Sequence, residues 1–344
     1  MANNSGVERQ HTSSLSRLNR EKLRDTSSMV EGRMATAAAY RTTSSQLVIG
    51  GLRLGSDRKR PSTTHFDARI GEQQDLPLTT FSKVTSNDNS IGDLTSKLRT
   101  YGFCYIDECP VTPEATQQLV ECIGPIRHTH YGGFWDFTSD LSSKDTAYTS
   151  LGLEAHTDTT YFSDPAGLQL FHLLSHTDGS GGESLLVDGF RAAEILKHED
   201  PAAYRTLSEV GVWSHASGNE GVSIRPYKAF PVLQHEPWTG GLVQVRWNNA
   251  DRAGLDVGFS RVQEWYDAAA KFDEILKRPE SQYWEQLRPG RPLIFDNWRV
   301  LHGRSAFTGK RRMCGAYVNR DDFVSRHNMA TLDRAEVLRR TVIG

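Results

Sequence analysis

Cysteine is scarce. Cys104, Cys109, Cys122 and Cys314 are the only four in 344 residues, and no two of them stand in a Cys-x-x-Cys pair. A zinc ribbon and a dithiol redox motif are thereby excluded, and so few thiols suit a reducing compartment. No apolar run approaches the roughly 20 residues that a membrane-crossing helix needs, so the expectation is a globular chain with no membrane partner. An excess of one charge is missing too: 40 Lys+Arg stand against 42 Asp+Glu, a net charge of -2. Nothing in that balance calls for a nucleic-acid partner. There is no Gly-x-Ser-x-Gly elbow, which removes the usual serine-hydrolase reading. The glycines of Asp178-Gly-Ser-Gly-Gly-Glu183 precede no Gly-Lys-Ser/Thr, so they read as a turn and not as a phosphate loop.

Aromatic residues are nearly absent from residues 1–77, which are rich in serine, threonine and arginine. Over residues 1–60 there are 11 Lys+Arg against 5 Asp+Glu, leaving 29 against 37 for the remainder. The expectation for 1–77 is a disordered or atypical segment, because it offers little apolar surface to offset its ordering entropy. A transit peptide is the alternative, opposed by Glu8, Glu21, Asp25 and Glu31, since such leaders are poor in acids. The cytoplasm is favoured over the mitochondrion on that ground.

From residue 78 the pattern is that of a folded domain. Ile91 to Thr100 predicts a short helix, and Thr112-Pro113 an N-cap with proline in the first turn. Tyr101–Asp107, Gly167–Leu174, Ser184–Asp188, Leu242–Trp247, Pro292–Asp296 and Met313–Val318 predict strands. Val262, Trp265, Tyr266, Ala269, Phe272 and Ile275 recur at helical spacing and predict a helix over 260–276. Many short strands around one long inserted helix predict a mainly β architecture, a jelly roll flanked by helices.

The chemistry is concentrated in His156-Thr157-Asp158. Residues two apart in an extended segment share a face, so this imidazole and this carboxylate can grip one ion. His302, in Asp296-Asn-Trp-Arg-Val-Leu-His-Gly-Arg304, is the best third donor. Two histidines and a carboxylate with open positions are the donor set of non-haem Fe(II) oxygenases. His-x-Asp alone is weak evidence, since a turn with a capping aspartate gives the same pair. His172 and His176 lie in a predicted strand without the glutamate of a zinc-protease motif, and His128 and His130 have no matching carboxylate. After His302 comes a basic stretch holding Arg304, Arg311 and Arg312. It reads either as a surface turn or as a forked anchor for a carboxylate.

The His156-Thr-Asp158 segment, Asp296 to Arg304, Gly182 to Gly189, His130-Tyr-Gly-Gly133, Phe137 to Asp140 and Asp145 to Tyr148 together resemble the gamma-butyrobetaine hydroxylase family of Fe(II)/2-oxoglutarate oxygenases. The resemblance runs from about residue 78 to about residue 325. It implies a distorted double-stranded β-helix, with iron on His156, Asp158 and His302. It implies 2-oxoglutarate on Arg311, with Arg304 and Arg312 as alternatives, and ascorbate as an accessory reductant. It implies an aromatic cage of Tyr131, Trp135, Tyr148 and Tyr317; Tyr131 and Trp135, four apart, are expected from that spacing to share one face of a helical turn. Asp145, Asn248 and Asn249 would hold the polar end of a quaternary-ammonium substrate. The implied reaction is hydroxylation of N6-trimethyllysine, the first step towards carnitine. Gamma-butyrobetaine or another amine is the alternative substrate, and a non-catalytic jelly roll that binds quaternary amines is the alternative of another class. A homodimer is the implied assembly. The family's N-terminal Cys/His zinc module is expected to be missing or replaced, since residues 1–77 hold no cysteine and only His11 and His65.

Overall fold

Phe103-Cys-Tyr-Ile-Asp107 shows how the core is made. Successive side chains of a strand point to opposite faces, and here both faces are apolar, so both must be covered. Phe103 and Tyr105 enter one buried cluster, and Cys104 and Ile106 enter another. The computed structural model describes residues 63–71, 76–139, 149–218 and 220–342. The chain divides into two units, Met1–Lys59 and Arg60–Gly344, and every described residue belongs to the second.

The strands of this unit are β1 Leu78–Thr80, β2 Phe103–Asp107, β3 Trp135–Thr138, β4 Leu153–His156, β5 Leu168–Thr177, β6 Ser184–Asp188, β7 Val212–Ser214, β8 Leu233–His235, β9 Leu242–Val245, β10 Arg252–Leu255, β11 Gln282–Glu285, β12 Leu293–Asp296, β13 Val300–Arg304 and β14 Lys310–Val318. Two sheets form the roll, ordered β1-β2-β12-β5-β14-β3 and β11-β6-β13-β4. Between them lies a cluster fed from both, including Phe103, Leu173, Phe295 and Met313 from the first and Leu186, Tyr283 and Val300 from the second. The helices Asp88–Tyr101 and Pro113–Ile123 cover the outer face of the first sheet through Leu94, Leu98, Leu119 and Ile123. Thr112 caps the second of these through a bond from the Ala115 N–H, with Pro113 in the first turn, as expected. The excursion from 189 to 277 covers the second sheet. Its helix Val262–Lys277 buries Trp265, Phe272 and Ile275 against Leu185, Val187 and Leu301. Tyr266 fits the same spacing, yet it is exposed.

Three expectations need correction. The strand expected to reach Trp247 ends at Val245, because the next two residues bond across to the loop after β4. Arg246 donates to the carbonyls of Thr160 and Phe162, and the Trp247 N–H donates to Thr157 Oγ1. Tyr131 and Trp135 do not share a helical turn: Tyr131 lies in a turn closed by Thr129 and Gly132, and Trp135 opens β3. The folded body also begins before residue 78. Phe66 and Ile70 are buried in the cluster between the sheets, and Arg299 donates to the Thr64 carbonyl at 2.8 Å. Two apolar side chains in a polar stretch are too few for composition to register, although they suffice to pin it. Residues 1–62 and 72–75 lie outside the described residues.

Candidate metal centre and active-site cavity

β4 and β13 run antiparallel with His302 opposite His156 in register. Directly opposed residues on one face come close, and the two imidazole centroids are 4.3 Å apart. Asp158 follows β4, where the chain is clamped. Its N–H donates to Asn297 Oδ1 at 2.8 Å, and Asn297 Nδ2 donates back to the Asp158 carbonyl and to that of Ala166. The result brings His156 Nε2 to 3.3 Å and His302 Nε2 to 3.9 Å from Asp158 Oδ1. One ligand atom from each of the three residues lies within 4.8 Å of the others, the one such cluster among the described residues.

The protonation pattern suits a cation. His156 Nδ1 faces the Glu154 carbonyl at 2.8 Å. A carbonyl only accepts, so Nδ1 carries a proton and leaves Nε2 as the nitrogen turned to Asp158. Burial pushes His302 down to about 3, and the neighbouring His156 adds to that. Burial also opposes charging of His156, but the bond and charge of Asp158 outweigh it and leave its pKa raised. For Asp158, burial would favour the neutral acid, yet His302 and His156 hold the carboxyl well below its usual range. The three residues thus offer a carboxylate and two imidazoles on one side of the cavity, the donor chemistry that would suit a divalent cation.

These donors line a cavity of about 380 Å³ shared with Tyr131, Trp135, Gln169, Phe171, Asn248, Asn249, Arg311 and Tyr317. Of the three candidate arginines, Arg304 and Arg311 both line it. Arg311 has no carboxylate partner within ion-pair reach among the described residues; it is 3% exposed, and its Nε has no hydrogen-bond partner there. Burial, and then the charge of Arg304, lower its pKa to about 10. Arg312, one residue on, points out of the sheet and pairs with Asp136 at 2.6 Å. Arg304 donates to the carbonyls of Thr149 and Leu151, which fixes that loop. Gly182 has φ +76°, which glycine tolerates best, and a Cβ there would meet Phe307 at 3.3 Å and Arg311 Nε at 3.5 Å.

The other expected residues divide as follows. Tyr131, Trp135, Asn248 and Asn249 line the cavity, and Asn248 Nδ2 donates to Asp251 Oδ2. Tyr317 lines it as well, but its hydroxyl is engaged by Asp158 Oδ2 at 2.7 Å. Asp145 and Tyr148 lie outside the described residues. His172 is buried between Thr116 Oγ1 and the Gly290 N–H, a structural role. Sequence reading missed Gln169 and Asn297, which both bond to Asp158. For Gln169 the signal was a polar side chain inside an otherwise apolar strand-like run; Asn297, in the turn after Asp296, gave none.

Fold and donor set together define a jelly-roll protein with a two-histidine, one-carboxylate pocket. Residues 58–317 match the family described as Taurine catabolism dioxygenase TauD, TfdA family, and the chain belongs to it. The trimethyllysine dioxygenase of Neurospora crassa is 51% identical, covering 77% of this chain and 63% of that protein. The mitochondrial trimethyllysine dioxygenase of Homo sapiens is 41% identical, covering 76% and 62%. The chain thus spans less than two thirds of the length of these relatives. A solved taurine dioxygenase from Burkholderia xenovorans shares the fold, with TM-score 0.51 at 15% identity over 70% of this chain and 88% of that one. No helix among the described residues is long and apolar enough to cross a membrane. The expected preference for the cytoplasm finds no support here.

Proposed function

We propose that the chain hydroxylates N6-trimethyllysine to 3-hydroxy-N6-trimethyllysine, the first step towards carnitine, using Fe(II) and 2-oxoglutarate, with ascorbate keeping the iron reduced. The reading is carried by one observation: three metal donors converge on the wall of a cavity that also holds a buried arginine with no carboxylate partner among the described residues, and a Tyr/Trp set. The relatives named above add to it. His156, Asp158 and His302 would hold the iron, and their donor chemistry fits it. The bound iron would supply the oxidising power, with O2 consumed, 2-oxoglutarate leaving as succinate and carbon dioxide, and one oxygen entering the substrate C–H bond.

The chain's own residues bind, orient and exclude water. Arg311 would hold the far carboxylate of 2-oxoglutarate, since its planar fork is already buried there. Tyr131, Trp135, Tyr148 and Tyr317 would face the trimethylammonium group, which has no N–H to donate and is best held by ring faces. Asp145, Asn248 and Asn249 would take the amino-acid end. A homodimer is the assembly that light scattering would test.

Arg311→Ala is expected to raise the apparent 2-oxoglutarate requirement, in line with the about 1.5–3 kcal/mol of a charge-assisted bond. Arg312→Ala is expected to be mild, because its partner Asp136 lies on the outer side. A critical Arg312 beside a dispensable Arg311 would reverse the assignment. Trp135→Ala is expected to weaken trimethyllysine binding by about 0.5–2 kcal/mol, read as a KM change against trimethyllysine at fixed 2-oxoglutarate. The deciding assay reconstitutes the protein anaerobically with Fe(II), 2-oxoglutarate and ascorbate, then admits oxygen. Trimethyllysine, gamma-butyrobetaine and lysine are compared by mass for gain of one oxygen. Lysine should be poor, since burying its hydrated ammonium among rings costs solvation. Equal use of lysine and trimethyllysine would remove the cage and the substrate with it.

A further inference from the structure

Gln169 on β5 and Tyr317 on β14 are direct partners in the strand register. Opposed residues share a face of the sheet, and both side chains reach the same atom. Gln169 Nε2 and the Tyr317 hydroxyl each donate to Asp158 Oδ2 at 2.7 Å. The other oxygen, Oδ1, is the one that faces His156 and His302. The carboxylate is therefore divided: one oxygen is turned to the metal donors, and the other is saturated by two protein donors.

We infer that the Gln169–Tyr317 pair holds Asp158 to one-oxygen coordination, and that this keeps open the metal position an oxidant needs. The inference rests on the metal-site reading above. An octahedral ion with three protein donors has positions left for a chelating 2-oxo acid and one small molecule. A carboxylate that gripped through both oxygens would take that last position. Two short bonds to Oδ2 make the second grip costly, because both buried donors would lose their acceptor. Gln169 is 2% exposed and lines the cavity, and its Oε1 is buried with no partner among the described residues. Such an orphan acceptor calls for a donor beyond the described residues, and a water held at the open metal position is a donor of the right chemistry. Gln169 and Tyr317 are in this sense positioning residues, acting through Asp158.

The test uses Mn(II) as the probe and reads its exchangeable waters by water-proton relaxation, with no turnover involved. Gln169→Leu combined with Tyr317→Phe frees Oδ2 while keeping the bulk of both side chains. The relaxation enhancement of bound Mn(II) is expected to fall by about one third, one of the open positions having closed, with the circular-dichroism spectrum unchanged. The same enhancement in a folded double variant would overturn the inference. Should the double variant fail to fold, Tyr317→Phe alone is expected to lower the enhancement in the same direction, and an unchanged value there overturns it as well. Absence of Mn(II) binding by the wild-type protein would instead strike the metal-site reading, and this inference with it.

Discussion

Asp158→Ala is expected to abolish turnover and to weaken divalent-metal binding beyond the roughly 10–100-fold that loss of an outer-sphere partner costs. The substitution removes the one negative charge of the donor set. Two imidazoles remain, and His302, pushed down to about 3, is a neutral donor with no carboxylate beside it. The damage does not stop at the metal. Gln169 and Tyr317 both direct their donors at Asp158 Oδ2 and would be left facing a hole. Buried donors without an acceptor cost about 1–3 kcal/mol each. Asp158→Asn separates the two effects, since it keeps the volume and one acceptor oxygen while losing the charge. Calorimetric titration with Mn(II) and a mass-based turnover assay provide the readouts. Wild-type activity in Asp158→Ala without added iron would end the assignment.

Arg299→Ala is expected to be the most destabilising single change in the described body. Arg299 and Asp188 are 2% and 1% exposed, paired at 2.7 Å. The guanidinium also donates to the carbonyls of Thr64 and Thr100, while Asp188 caps the helix Gly189–Glu199 and accepts from the Phe66 N–H. Removing one member leaves a buried charge unmatched, at about 3–5 kcal/mol. The loss should appear as a lower urea midpoint, together with exposure of the 63–71 segment to protease. Replacing both residues by apolar ones should cost less than either single change, because no orphan charge would remain. An Arg299→Ala protein with an unchanged midpoint would show that the network is not holding that segment.

The same network gives a pH dependence. Burial would raise the Asp188 pKa, but Arg299 and His65 overcome it and hold the carboxyl well below the carboxylate range. A lowered folded pKa contributes stability that is full above the unfolded value near ~3.9 and is lost as pH falls through the folded one. The His65 pKa is raised, chiefly by its bond to Asp188. Its contribution is therefore full below the unfolded value and disappears as pH rises through the folded one. His65→Ala should flatten the neutral limb of the stability profile and shrink the acid limb without abolishing it, because Arg299 still holds the Asp188 carboxylate.

Six of the fourteen strands among the described residues, the capped helix at Thr112 and the spacing of His156 from Asp158 were legible in the chain. Each depends on short-range periodicity or on spacing within a few residues, and that information is local. His302 was found as the best distant donor, but nothing local showed that it would stand opposite His156; the register of β4 and β13 decides that. A family likeness singled out Arg311, and strand alternation turns Arg311 and Arg312 to opposite sides, Arg311 lining the cavity beside Arg304 and Arg312 against Asp136. Where the pattern misled, a tertiary partner overrode it. Leu242 onward leaves its sheet at Val245 because Arg246 has carbonyls to satisfy in the loop after Asp158. Phe66 and Ile70 joined the core from a polar segment because Arg299 and Asp188 had buried charge and backbone groups to match there. By itself the sequence offered His156 and Asp158 as a closely spaced donor pair and set the alternation of side chains along the strands, since alternation and spacing are properties of consecutive residues. Only the tertiary structure decided that Gln169, Tyr317 and Asn297 would meet Asp158, because hydrogen bonds between residues up to 159 positions apart are set by strand register and not by any local pattern.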